Sequence, residues 1–394
     1  MRIAFLISRL LVGGIDTSLL RYLTSVGQFG VEPVLVVRER YAHSEVYAPK
    51  VREVAEMRYV VSSNFLTSLC EKKRQRKLNV FETLAEEAIL RPLRRLTTRL
   101  CLRKSIADCD VVVDFDSTSY SFLGKVNKPK IAFFHFSVNS YHRGNEKKLA
   151  RLGRSLDSYD SVVCVSNAMM AEAQQRYPHL APKLKTIFNP IDATELQTLS
   201  RAYTPVVSGD FIVSVCRLDE SQKDVASLLR AYKDVQRSSD RSFMPLVIIG
   251  NGPDEAKLKA QVAALKLDAK VRFLGFLDNP MPYIARAKAF VLSTKFEGLP
   301  TVLLEAQSLG TPVIASDAPT GPREILEDGK AGVLVPVGDN DALADAIIRV
   351  TSDDDLRNSL VIGGLASAER FSAENVVRQF VDLCNSLLSK PSND

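Results

Sequence analysis

Ala289-Phe290-Val291-Leu292-Ser293-Thr294-Lys295-Phe296-Glu297-Gly298-Leu299-Pro300-Thr301-Val302-Leu303-Leu304-Glu305-Ala306-Gln307-Ser308-Leu309-Gly310 reads as a strand, a loop and a helix in succession. Ala289–Leu292 is apolar without alternation, as a strand buried on both faces of a parallel sheet would be. Thr301 is the expected N-cap, and Gly310 ends the helix. Backbone N–H groups around Leu299–Leu303 leave such a helix start unpaired, and the helix dipole favours an anion there. Glu305 lies one turn further in and faces the same mouth. A phosphate needs donors, and a ribose diol needs an acceptor carboxylate close by; this loop and helix offer both. Taken singly, Glu297 reads equally as a solvated loop acid, and Glu305 as a charge complementing the dipole. Their Glu-x7-Glu spacing in a strand-loop-helix context favours the functional reading.

The same alternation extends in both directions. In the first half, strands are expected at Ile3–Ser8, Pro33–Val37, Asp110–Asp114, Lys130–Phe134 and Ser161–Val165, with a helix over Ile15–Gly27. Asn189-Pro190-Ile191-Asp192 breaks the pattern, and a polar candidate linker follows through Gly209. Strands then recur at Phe211–Val215, Pro245–Ile249, Val271–Phe273, Ala289–Leu292, Pro312–Ala315 and Gly332–Val335. Helices are expected over Val225–Arg237, Asp254–Leu265, Thr301–Leu309, Asn340–Thr351 and about Glu374–Leu388. The expected organisation is α/β throughout: one α/β domain over 1–190, a second over 205–370, and a C-terminal helix and tail over 371–394, the tail disordered from Ser389. Ligands of open α/β sheets bind beyond the carboxyl ends of the strands, so the loops that follow strands carry the chemistry.

Composition narrows the class. With 394 residues, 46% of them hydrophobic and 25% charged, the chain is of ordinary globular type. No run of 18 apolar residues suggests a membrane span, and the apolar run of the first strand ends at Arg9, too soon for a secretory core. Six cysteines without a CxxC pair and only four histidines give no metal-ligand pattern, so the thiols read as buried or free in a reducing cytoplasm. Net charge is +6 but uneven: residues 1–200 hold 30 Lys+Arg against 20 Asp+Glu, or +10, and the remainder is −4. Cys70–Lys104 alone is +7, with Leu90, Leu93, Leu96 and Leu100 at near-helical spacing among the cations. A basic amphipathic segment lies on an anionic membrane surface, or is a solvated face that keeps the protein soluble. Nucleic acid has only the charge in its favour, for no nucleic-acid-binding signature is present.

Phe296-Glu297-Gly298-Leu299-Pro300-Thr301-Val302-Leu303-Leu304-Glu305-Ala306, followed by Gly310-Thr311-Pro312-Val313-Ile314-Ala315-Ser316, resembles the donor site of the retaining glycosyltransferases of family 4. Four further stretches resemble the family in the expected order: Gly250-Asn251-Gly252-Pro253, Arg272-Phe273-Leu274-Gly275-Phe276, Pro319-Thr320-Gly321-Pro322-Arg323-Glu324-Ile325, and Asp328-Gly329-Lys330-Ala331-Gly332-Val333-Leu334-Val335-Pro336. The resemblance implies the GT-B fold, two facing Rossmann-like domains with a cleft between them, residues 1–190 binding the acceptor and residues 205–370 the nucleotide sugar. It implies a retaining, metal-independent hexosyl transfer from a nucleotide-diphosphate sugar, most simply a UDP-sugar, with no cofactor. Arg217 and Lys223, six residues apart after a strand, would then grip the diphosphate. Glu305 would hold the ribose, Glu297 and Gly298 would lie by the sugar, and the Leu299, Pro300 and Thr301 backbone by the phosphates. Asp224 stands where the family commonly has glycine.

In the first half the resemblance is looser. Gly13 and Gly14, after the first strand, would let the backbone approach the donor. His135 matches the cleft histidine of the family and reads equally as a satisfied structural residue. Asp114-Phe115-Asp116 is an Asp-x-Asp of the kind that binds a metal in the other large transferase architecture, or it lines the acceptor side of the cleft. The Pro-Thr-Gly-Pro-Arg-Glu variant resembles bacterial enzymes of surface polysaccharide or lipopolysaccharide synthesis. With the basic segment, this suggests a cytoplasmic protein at the inner face of the membrane and a lipid-linked or anionic acceptor. A nucleotide-sugar epimerase and a catalytically silent nucleotide-sugar-binding subunit are the alternatives.

Overall fold

A computed structural model describes residues 1–10, 13–39, 48–61, 91–123, 126–140, 144–207, 209–238 and 244–389. Most of the basic stretch, residues 70–90, and the tail 390–394 lie outside the described residues. Two parallel sheets carry the fold. The first has seven strands, ordered β3-β2-β1-β4-β5-β6-β7. They are β1 (Arg2–Ile7), β2 (Glu32–Glu39), β3 (Glu56–Val61), β4 (Val111–Asp114), β5 (Lys130–Phe134), β6 (Ser161–Cys164) and β7 (Leu184–Thr186). The second has six, ordered β10-β9-β8-β11-β12-β13. They are β8 (Ile212–Val215), β9 (Leu246–Ile249), β10 (Val271–Gly275), β11 (Ala289–Leu292), β12 (Val313–Ser316) and β13 (Val333–Val335).

Both sheets wind outward from a central strand and then reverse, between β1 and β4 in one and between β8 and β11 in the other. Such reversals open a crevice at the strand carboxyl ends, where ligands of this architecture sit. The loops after β1, β4, β8 and β11 all begin at these two switch points. They hold Gly13 and Gly14, the Asp-x-Asp, Arg217 with Lys223, and Glu297. β4, β9, β11 and β12 are buried throughout, and β1 and β8 all but one end residue, which is why they read as largely apolar runs.

Several elements are absent from the sequence reading. β3 carries Glu56 and Arg58 and lies at a sheet edge, and β7 has three residues. The helix Asp354–Glu369 contains Gly363 and Gly364 and has little amphipathic character. The expected linker holds the helix Ala193–Ser200, capped by Asp192, whose side chain accepts from Glu195 N at 2.9 Å. The last helix, Ala373–Leu388, returns to the first half. Phe380 meets Phe5, Tyr22 and Phe133 at ring separations of 5.8, 5.3 and 5.8 Å. The two crossings are stitched together, Ile191 N donating to Phe371 O and Ala373 N to Ile191 O, both at 2.8 Å.

Asp114 and Asp116 lie within this framework. Asp116 accepts from Ser8 N at 2.7 Å, from the Ser8 hydroxyl and from Thr118 Oγ1 at 2.6 Å, so it ties the loop after β4 to the loop after β1. Asp114 accepts from Ser119 N at 2.8 Å and bonds the Tyr159 hydroxyl. Burial and the Asp116 charge push its carboxyl up to about 7. A carboxyl raised in the folded state stabilises most below its unfolded value, and that contribution is lost as pH rises through about 7. Asp114→Asn has no such titration. The stability advantage of the parent over this variant should therefore fall by roughly 3 kcal/mol between pH 5 and pH 8.5, at about 1.4 kcal/mol per pKa unit. Urea unfolding at the two pH values measures it, and an unchanged difference contradicts the assignment.

Candidate active site

After β8 the chain turns through Cys216-Arg217-Leu218 towards Lys223. The glycine of Gly250-Asn251-Gly252 has a physical reason here. Gly250 has φ +134°, and a β-carbon on it would overlap the Cys216 carbonyl. Passing so close, the loop accepts Leu218 N on Asn251 O at 2.8 Å and so supports the Arg217 segment. Asp224, where a glycine is common in the family, accepts the Ser227 hydroxyl at 2.7 Å at the start of the helix Val225–Ser238. It also faces Lys295 at 3.8 Å, so its contacts are local and Lys223 pairs elsewhere.

Lys223 and Glu297 form an ion pair, with side chains 13% and 7% exposed. Thr294 Oγ1 donates to Glu297 Oε1 at 2.8 Å. The Thr320 hydroxyl bonds the Glu297 carbonyl, which fastens the Pro-Thr-Gly-Pro-Arg-Glu segment to this loop. Arg217 is 60% exposed, pairs with Asp219 at 3.0 Å, and donates to Gln222 Oε1 at 3.3 Å. Gln222 in turn donates to Phe296 O at 3.2 Å, linking the Arg217 loop to the Glu297 loop. One cation is thus held against the acid while the other stands open to solvent on the same loop.

The helix Thr301–Ser308 starts as expected, but its cap differs. Pro300 occupies the N-cap position with φ −70° and ψ 94°, and Thr301 is the first helical residue. Proline has no N–H, and Leu303 N already donates to Pro300 O at 3.0 Å, so fewer free amides face outward than the sequence suggests. Leu299 and Thr301 are buried. Glu305 is buried too, and not free: Arg21 Nη2, from the helix Gly14–Val26 of the first half, donates to its Oε1 at 2.9 Å.

The two halves meet closely. A β-carbon on Gly298 would overlap the His135 carbonyl oxygen and lie 2.8 Å from its carbonyl carbon. One on Gly14 would lie 3.7 Å from Thr301 Oγ1. Gly13 precedes the first helix as its extended N-cap. Glu324 crosses from the second half to Asn167 N at 2.9 Å and Asn167 Nδ2 at 2.6 Å, at the start of the helix Asn167–Arg176. His135 is buried, with ring separations of 4.8 Å to Phe115 and 5.9 Å to Phe133. Burial lowers it to about 4, and a hydrogen bond to the Phe115 carbonyl opposes that only in part, so the ring is neutral at pH 7. Its Nε2 is buried without a partner among the described residues. Among the described residues no cluster of three or more His, Cys, Asp or Glu is arranged to hold a metal ion.

Two family models match in sequence order. Residues 12–195 match Glycosyltransferase Family 4, and residues 198–364 match Glycosyl transferases group 1. The chain belongs to the family 4, group 1 glycosyltransferases. Among curated members of this glycosyltransferase family, it is 29% identical over 220 residues to the N-acetylgalactosamine-N,N'-diacetylbacillosaminyl-diphospho-undecaprenol 4-alpha-N-acetylgalactosaminyltransferase of Campylobacter jejuni; the match covers 56% of this chain and 58% of that protein. It is 31% identical over 195 residues to the lipopolysaccharide core biosynthesis glycosyltransferase LpsD of Rhizobium meliloti, covering 49% and 52%. The matches thus span little more than half the length of these two relatives. The fold is GT-B. It superposes on a variant of S. aureus TarM with TM-score 0.79 at 15% identity, covering 98% of this chain and 99% of that one. For Anabaena HepE in complex with UDP the TM-score is 0.75 at 17% identity, covering 98% and 100%.

The structure brings Lys223, Glu297 and Gly298 to one side of the cleft and His135 and Gly14 to the other. Glu305 points to the interdomain seam. The sequence reading omits Gln222, Thr294, Arg21, Asn167 and the contact of Glu324. Gln222 and Thr294 flank named site residues, and that adjacency was the available signal. Arg21 and Asn167 act across more than 150 positions, and no local pattern marks them.

Proposed function

We propose that this family member is a retaining glycosyltransferase that moves a hexosyl group from a UDP-sugar to a hydroxyl of a lipid-linked surface glycan. The observation that carries the reading is the placement of Lys223, Arg217 and Glu297 together at the second switch point, opposite His135. When the glycosidic bond to the diphosphate breaks, negative charge gathers on the leaving group. Lys223 and Arg217 meet that charge, and fixed cations in a shielded cleft lower the barrier without a metal. Glu305 takes the ribose. Glu297, with Gly298, lies by the sugar, and His135 accepts a sugar hydroxyl on its unpartnered Nε2. The acceptor hydroxyl attacks on the face from which the diphosphate departs, and the leaving phosphate takes its proton. UDP in the HepE and TarM complexes supports the uridine donor, and the names of the Campylobacter and Rhizobium relatives support the acceptor class.

A thermal-shift screen over UDP-, GDP-, ADP- and CMP-sugars tests the donor; a ligand at 100 times its Kd should stabilise the fold by about 2.7 kcal/mol. Transfer assayed in EDTA tests metal independence. Undiminished transfer by the Glu305→Ala, Lys223→Ala double variant defeats the site assignment.

The acceptor side includes the helix Arg91–Ser105. Thr98 and Leu102 face inward, whereas Leu96 and Leu100 are 55% and 58% exposed among Arg95, Arg99 and Arg103. Apolar side chains turned to solvent between cations suit an anionic lipid surface. In flotation with anionic liposomes at low salt the protein should rise with the vesicles, and Leu96→Ser with Leu100→Ser should cut the bound fraction at least about threefold. Absence of parent binding at low salt ends the membrane reading. Among the described residues no helix is long and apolar enough to cross a membrane.

A further inference from the structure

Arg21 stands on the helix Gly14–Val26 of the first half, but its guanidinium serves elements beyond it. Its side chain is 5% exposed. Nη2 donates to Glu305 Oε1 at 2.9 Å, on the helix Thr301–Ser308 of the second half. Nε approaches Glu195 Oε2 at 3.5 Å, on the helix that follows the first crossing. Nη1 is buried without a partner among the described residues. Among the described residues no other side chain donates to the Glu305 carboxylate. Three helices from three parts of the chain therefore converge on one cation.

A carboxylate that grips a ribose diol has to be held in one orientation, and a charge-assisted hydrogen bond from a guanidinium fixes it. Arg21 engages one oxygen of the Glu305 carboxylate and leaves the other. A buried donor without a partner, such as Nη1, is costly, so this site is built for more than packing. Because the cation comes from the opposite half, the acid is complete only where the halves are closed.

We infer that Arg21 is the positioning residue of the ribose acid, holding the Glu305 carboxylate oriented from across the cleft so that ribose recognition is coupled to closure. The inference rests on the proposed placement of the ribose at Glu305. The test compares UDP with 2',3'-dideoxy-UDP by calorimetry, on the full chain and on Arg21→Gln, Arg21→Lys and Glu305→Gln. The parent should prefer UDP by about 10–100-fold, the range of hydrogen bonds to a charged group. Arg21→Gln should reduce that preference to within about threefold, by weakening UDP while leaving the dideoxy nucleotide unchanged. Its donor KM should rise by the same factor, with kcat within about threefold.

A structural role would weaken both nucleotides alike, and that result overturns the inference. So does a full preference in Arg21→Gln alongside a lost preference in Glu305→Gln, which leaves the ribose site standing. A full preference in Glu305→Gln overturns the ribose placement itself. Should Arg21→Gln fail to fold, as melting without nucleotide shows, Arg21→Lys decides. It keeps the charge but not the planar fork, and a preference equal to that of the parent overturns the assignment.

Discussion

Lys223→Ala should lower kcat by about 10²–10³, the range found when one preorganised donor to a developing negative charge is removed. Two separable causes contribute. The first is loss of a cation at the diphosphate. The second is that Glu297, 7% exposed and paired with Lys223, becomes a buried carboxylate without its counter-ion. Removing one partner of a buried pair typically costs about 3–5 kcal/mol of stability. The hydroxyl of Thr294, at 2.8 Å, offsets part of that. A double-mutant cycle with Glu297→Gln separates the causes. If Lys223 acts on the diphosphate, the double variant recovers stability but keeps the loss of kcat. If its role is only to neutralise Glu297, the double variant is no slower than Glu297→Gln alone, and the catalytic assignment of Lys223 fails. Steady-state kinetics and urea unfolding on the same four proteins give both readings.

The contrast between what the sequence shows and what it hides follows one physical division. The central strands are buried on both faces, so apolar continuity alone marks β1, β5, β9 and β11 to within a residue or two. Loops that follow strands are equally visible, and in this topology they are where ligands bind. Together with the family resemblance, this sets Arg217, Lys223 and Glu297 in one neighbourhood from the sequence alone. Edge and short strands such as β3 and β7 lack the continuity, and the two glycines in Asp354–Glu369 erase its periodicity. The cap position of Thr301–Ser308 falls on Pro300, whose extended backbone fits it without any side-chain acceptor, a shift of one residue that propensity does not reveal. Most opaque were the partners across the seam. Glu305 reads as a free acid in its own helix, and nothing local reveals that Arg21, 284 positions away, is paired with it. Similarly, Glu324 reads as a motif acid, while its partner is the start of a helix in the other half.

Gly298→Ala should be the most damaging single methyl at the seam between the described halves. A β-carbon at Gly298 meets the carbonyl of His135, with the carbonyl carbon at 2.8 Å, and both partners are backbone. A side chain in that place can rotate away; a peptide at the end of β5 cannot move without the sheet behind it. Gly298 is not in the positive-φ region, so alanine is acceptable to the local backbone and the conflict is entirely between the halves. The relief available is separation of the two sheets by about 1 Å or more, the difference between the overlap and an ordinary contact. Misplacement on that scale typically costs about 10²-fold in rate, so kcat/KM should fall by at least that much while each half keeps its own core. The global unfolding midpoint should therefore change little, and small-angle scattering should report a larger radius of gyration for the variant. The Lys223–Glu297 pair lies wholly within the second half and should survive, so nucleotide binding that depends on it should persist. A variant with parental kcat/KM and unchanged dimensions would mean that the cleft closes on some other contact, and that His135 and Gly298 need not approach for transfer.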